Sequence, residues 1–173
     1  MFLISGGLRY EMAPKTWSGT SSDDTPTLTW CSNTISDITG AYGLAVGDGS
    51  ANTTAMQSPA CASGAGVTAR AYRGGGLTDW FLPSQGELNA MCNYSRNPTA
   101  PAAQSVNCFG ISGTAQDGTF AGGAYGFASA GYWSSSQFAL PPTTSAWPQF
   151  FDDGDQSTFS KATALRVRPV RAF

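Results

Sequence analysis

The chain has no histidine. That removes Ser-His-Asp catalysis and the most common metal-binding side chain. Charge is scarce too. Asp, Glu, Lys and Arg make up 12% of the 173 residues, about half the roughly 25% usual in globular proteins. Nine residues are Lys or Arg and eleven are Asp or Glu, giving a net charge of -2. Affinity for a phosphate backbone comes largely from clustered Lys and Arg, so nucleic acid is excluded as a partner. No run of about 18 apolar residues occurs, which argues against membrane insertion by a helix. The opening Met1-Phe2-Leu3-Ile4-Ser5-Gly6-Gly7 lacks the basic and long apolar regions of a secretory signal. The chain is therefore expected to be a fragment or C-terminal part of a longer secreted protein, or to leave the cell as a virion component does.

Cys-x-x-Cys pairs are also missing. The four cysteines, Cys31, Cys61, Cys92 and Cys108, are widely spaced, which excludes zinc-ribbon and thioredoxin-type sites. An even count at such spacing suits two disulfides, for which three connectivities exist. Sequential pairing is favoured, Cys31 with Cys61 and Cys92 with Cys108, each closed loop worth on the order of 3 kcal/mol. The alternative is four buried free thiols in a reducing compartment.

What the chain does have is Gly, Ser, Thr, Asn and Gln, with aromatics at 12%. Low net charge and abundant aromatics argue against disorder. The composition fits a loop-rich extracellular domain, and the length fits one domain over 1–173. Phe2-Leu3-Ile4 and Leu8 to Met12 read as a hairpin around Gly6-Gly7. A short helix fits between Gly47 and Ala60, capped by Ser50 or Asn52, with Ala51, Ala55 and Met56 inward and Pro59 ending it. Ser84-Gln85-Gly86-Glu87 is a capping box. Leu88, Met91 and Cys92 follow at helical spacing, and the helix should end near Tyr94 to Asn97, before Pro98. Residues 98–131 form an irregular insertion that Cys108 would tie down. Tyr132 to Ser136 reads as a strand. In the next strand Trp147, Gln149 and Phe151 share one face, and Pro148 and Phe150 the other. Asp152-Asp153-Gly154-Asp155 is a turn. Ala164 to Val170 is the closing strand, with Pro169 at an edge or strand end. Few helices, short antiparallel strands and long loops indicate the α+β class.

Three segments together carry a resemblance. They are Gly76-Leu77-Thr78-Asp79-Trp80-Phe81-Leu82-Pro83-Ser84 with Glu87-Leu88, then Tyr132-Trp133-Ser134-Ser135-Ser136, and finally Arg166 to Phe173. In that order and spacing they resemble the C-terminal domain family of the Legionella collagen-like adhesin. Ala13-Pro14, Trp17-Ser18-Gly19 and Trp30-Cys31 fit its earlier part. That family is a branch of the C-type-lectin-like fold, related to the variable proteins of diversity-generating retroelements and to formylglycine-generating enzymes. The resemblance implies short twisted antiparallel sheets with about two short helices. It also implies a final strand that pairs with an early one. Trp80, Trp133, Trp147 and Phe151 read as core anchors.

The resemblance further implies adhesion to a glycan or a cell-surface protein, outside the cell, on its surface or on a virion. In the retroelement relatives the C-terminal region carries the ligand face. The candidate face here is 137–161, with Pro148 and Phe150 as exposed apolar contacts. Gln137, Gln149, Asp152, Asp153, Asp155, Gln156 and Lys161 would supply polar contacts. Asp152, Asp153 and Asp155 are a weak calcium candidate, but the EF-hand pattern and the sugar-binding motifs of calcium-dependent lectins are absent. No cofactor is expected. The rival reading is a structural subunit or cap of a filament, phage tail or surface layer, with the same face buried in a homo-oligomer such as a trimer. An enzyme of the formylglycine-generating type ranks last, because no cysteine occupies the final third, where the metal-binding pair is expected. Arg70 and Arg73 flank Gly74-Gly75-Gly76 without the strand–loop–helix context of a phosphate cradle. They read as salt-bridging residues of a turn.

Overall fold

A computed structural model describes residues 1–20, 24–99, 101–111, 125–140 and 143–173. Gly6 and Gly7 both adopt positive φ, +57° and +81°, the backbone that a two-residue hairpin turn needs. They join β1 (Leu3–Ser5) to β2 (Leu8–Met12). The last strand, β6 (Val170–Ala172), pairs antiparallel with β2, Tyr10 opposite Ala172 and Met12 opposite Val170. The first sheet therefore has the order β1-β2-β6 and holds the beginning and end of the chain together, the pairing of a final strand with an early one that the sequence resemblance implies.

The second sheet has the order β3-β4-β5. It consists of β3 (Gly131–Gln137), β4 (Ser145–Phe150) and β5 (Phe159–Ser160), all antiparallel. Single bridges link the layers, Phe81 to Val170, Leu28 to Leu165 and Tyr132 to Arg166. Among the described residues three α-helices complete an α+β fold: α1 (Gly49–Ala55), α2 (Ala65–Ala71) and α3 (Gln85–Arg96), with a 3-10 turn at Gly74–Gly76 before α3. No helix among the described residues is long and apolar enough to cross a membrane.

The capping box of α3 forms as the sequence indicates. Ser84 Oγ accepts from the Glu87 amide, and Glu87 accepts from the Ser84 amide. The helix buries Leu88, Met91 and Cys92 and ends at Asn97. The disulfides are Cys31–Cys61, with Cα atoms 5.4 Å apart, and Cys92–Cys108, at 6.0 Å. The second ties residues 101–111 to α3. Asn89 reinforces it, donating to Gln104 O and Val106 O and accepting from the Cys108 amide.

Two apolar clusters lie on either side of β3. Trp133 enters one, with Trp17, Trp30, Met56, Trp80 and Leu82. Its neighbour Tyr132 enters the other, with Phe2, Phe81, Leu88, Phe127 and Phe151. Successive side chains of a strand point to opposite faces, so a strand buried along its whole length feeds both cores.

Several elements differ from expectation. α1 starts at Asp48 with no side-chain cap. Asn52 is not the cap but is buried, exchanging hydrogen bonds with Gly43 N and O; Ala51 is exposed. α2 was not expected. Its start, Gly64, has φ +121°, and a Cβ there would sit 2.8 Å from Cys31 Cα, so only glycine fits. The closing strand is not continuous from Ala164 to Val170. Leu165 and Arg166 make isolated bridges, and regular pairing begins at Val170. Arg70 donates to Ser50 O and Arg73 to Arg70 O and Tyr72 O, so both bind backbone carbonyls.

Candidate functional site

The segment 137–161 does not present its candidate residues as one face: Gln137, Pro148, Gln149 and Lys161 are buried, Phe150, Asp155 and Gln156 are half-buried, and Asp152 and Asp153 are exposed. β4 alternates only as far as Pro148: Ala146 and Pro148 are buried, Ser145 and Trp147 are half-buried, and the pattern then breaks because Gln149 is buried and Phe150 half-buried. Pro148 and Gln149 point to opposite faces, so the strand is covered on both faces at that point and half-open at Trp147 and Phe150. Phe150 packs on Phe159, ring centres 5.1 Å apart, and over Gly131, where a Cβ would lie 2.9 Å from its ring. It is not an exposed anchor. Trp147 packs edge-on against Phe138 at 5.6 Å rather than entering a core. Phe151 lies just past the strand, fully buried and stacked at 4.1 Å on Phe127. Trp80 and Trp133 are buried.

Gln137 and Lys161 are corrected from surface contacts to parts of a buried network. Lys161 Nζ donates to Gln137 Oε1 at 2.5 Å and to Ser36 O at 2.9 Å. It also lies 4.8 Å from the Trp30 ring centre. Burial pulls the Lys161 ammonium down to about 8. Gln137 Oε1 also accepts from the Ile38 amide, and its Nε2 donates to Asp37. Bonds from Tyr42, Thr39 and Gln137 hold the Asp37 carboxyl below its ordinary value. Gln149 Nε2 donates to Gly154 O and Asp155 O, closing the turn from inside.

The remaining polar candidates lie on that turn. Asp152 and Asp153 are exposed and Asp155 and Gln156 are half-buried. Asp153 Oδ1 accepts from the Asp155 amide at 2.9 Å, and Gln156 donates to Gln85 O. Among the described residues no group of three or more carboxylates, cysteines or histidines gathers to hold a metal. The Asp152, Asp153 and Asp155 calcium set is therefore not assembled.

A second feature lies beside the first sheet, where no local sequence pattern points to it. A cleft of about 300 Å³ is lined by Glu11, Met12, Tyr72, Leu77, Trp80 and Tyr125, among others. Its residues come from β2, from the end of α2, from the segment after the 3-10 turn, and from beyond residue 124. Trp80 donates its indole N–H to Gly74 O at 3.1 Å. Tyr72 stands 4.9 Å from Trp80, with ring planes 62° apart, and Trp17 backs Tyr72 at 5.6 Å. Burial and the nearby Tyr125 push the Tyr72 hydroxyl up. Glu11 Oε1 accepts from Arg171, which also pairs with Asp79.

A buried ion pair supports the far wall of the cleft. Arg168 meets Asp24 through two bonds of 2.5 Å, and both side chains are wholly buried. Tyr132 donates to the same carboxylate at 2.7 Å. Arg168 then donates to Gly126 O at 2.7 Å and to Tyr125 O at 3.5 Å, and stacks 4.4 Å from the Phe127 ring centre. The segment carrying Tyr125 is thus held to the core by the Arg168 guanidinium together with the buried Phe127 ring.

No curated protein matches the chain. The family model of the Lcl C-terminal domain matches residues 19–171. That span includes the Trp80–Glu87 segment, the Tyr132–Ser136 strand and most of the closing Arg-Val-Arg stretch, so the chain belongs to the Lcl C-terminal domain family.

Proposed function

We propose that this chain is a non-catalytic recognition module that attaches its parent cell or particle to a glycan or protein ligand outside the cell. The observation that carries this reading is membership of the Lcl C-terminal domain family over residues 19–171. Two disulfides support an oxidising compartment, where such bonds persist. A chain without histidine is poorly equipped for acid–base work near neutral pH,. The low charge favours binding through shape, aromatic contact and neutral hydrogen bonds.

Purified protein applied to a glycan array and to intact cells tests the proposal. Saturable binding that survives a calcium chelator is expected. Spontaneous polymers whose 150–156 turn is protected from hydrogen exchange, with no binding to array or cells, would overturn it in favour of an assembly subunit.

A further inference from the structure

We infer that the cleft between β2 and the 3-10 turn binds a compact alkylated ammonium cation of the choline type; this deepens the recognition reading and rests on it. The volume, about 300 Å³, is at the small end of ligand sites. Its lining combines three aromatic side chains, Tyr72, Trp80 and Tyr125, with one carboxylate, Glu11. Aromatic faces are electron-rich and attract cations, Trp most strongly.

Geometry selects the shape of the ligand. A stacked sugar needs a broad exposed ring, but Trp80 is only 5% exposed. The Tyr72 and Trp80 planes instead meet at 62° and form a corner. A corner closed by a third ring suits a rounded head group with several methyls, which touches all the walls at once. Tyr125 is the third aromatic residue of the lining and is 48% exposed, so part of it faces solvent.

Electrostatics select the sign. Arg171 occupies Glu11 Oε1, and the Glu11 side chain is still 33% exposed. Glu11 is the one charged side chain of the lining among the described residues, and the whole chain carries -2. No cationic side chain lines the cleft among the described residues. An anionic ligand would therefore find no partner there, whereas a cation would meet a carboxylate that still faces solvent.

The test uses the intact isotope-labelled chain and follows the Trp80 indole N–H resonance by NMR. Choline chloride, phosphocholine and the uncharged choline isostere 3,3-dimethylbutan-1-ol are titrated separately. Choline is expected to shift the Trp80 signal saturably, with the isostere at least about fivefold weaker. Tyr125→Ala and Glu11→Gln should each weaken choline by about fivefold, with unchanged unfolding midpoints. Phosphocholine is expected to bind no more tightly than choline, because its phosphate meets no cation in the lining; tighter binding of phosphocholine would overturn the choice of ligand charge and with it the proposal. An unmoved Trp80 resonance, or an isostere that binds as well as choline, overturns the proposal. If cells or arrays bind the Tyr125→Ala chain as well as the unaltered one, the cleft assignment falls while the recognition reading stands.

Discussion

Asp24 and Arg168 are wholly buried, 144 positions apart, and joined by two charge-assisted bonds. Burial pushes the Asp24 carboxyl up, against the pull of Arg168 and Tyr132. Removing one member of a buried pair strands the other charge, which costs about 3–5 kcal/mol. Asp24→Ala should therefore lower unfolding free energy by about that amount, measured by denaturant titration. Replacing both, Asp24→Leu with Arg168→Met, should recover most of the loss, because a well-packed apolar pair is often neutral or better. A single mutant within about 0.5 kcal/mol of the unaltered chain would contradict the pairing. Arg168 was noticed in the sequence only as part of a terminal motif. Its partner was invisible there, because no local spacing connects positions 24 and 168.

At the scale of elements, α3 was the most legible part of the chain. Ser84 and Glu87 satisfy each other across three positions, so the signal is local. The structure adds that Glu87 is wholly buried and also accepts from Gly47 N at 2.9 Å. Burial pushes its carboxyl above the ordinary value, while amides of Ser84, Gly47 and Gly49 hold it down. A group with a raised folded-state value binds its proton more tightly in the folded chain. Its contribution to stability is therefore full below the unfolded value and is lost as pH rises through the folded value. In Glu87→Gln that dependence disappears. The stability gap between the unaltered chain and the variant should be larger at about pH 4 than at neutral pH. Denaturation curves at both pH values check this, and an equal gap would refute it. α2 left no comparable mark. Ala65 to Ala71 has no side-chain cap and a single charge, Arg70 in its last turn, and it is held by the packing of Ala65 and Ala69. β4 misled for a related reason, since alternation predicts faces only where one side meets water.

At the scale of the molecule, the two disulfides and the β2–β6 pairing set the frame. Cys31–Cys61 spans 30 positions and sits in the Trp133 cluster, while Cys92–Cys108 spans 16 and sits in the Tyr132 cluster. Each should contribute about 3 kcal/mol by restricting the unfolded chain, the longer loop slightly more. Because they lie in different clusters, their effects should add. Calorimetry of Cys31→Ser/Cys61→Ser, Cys92→Ser/Cys108→Ser and the fourfold variant measures this. A fourfold variant with an unchanged Tm would show that the bridges carry no stability.

By itself the sequence determined the α+β class, the α3 capping box, the opening hairpin and the family; it favoured the sequential cysteine pairing among three, and the structure decided it,. Each rests on neighbours in the chain, on turn chemistry or on motifs in order. Only the tertiary structure decided which polar and aromatic groups face water. Gln137 and Lys161 look like surface residues by type, yet they are buried because they satisfy each other, Ser36 O and the face of Trp30. Glu11, Tyr72, Trp80 and Tyr125 form one cleft because β2, the 3-10 turn and the segment anchored by Arg168 converge there. Burial and convergence depend on what packs from distant parts of the chain, and no local pattern encodes that.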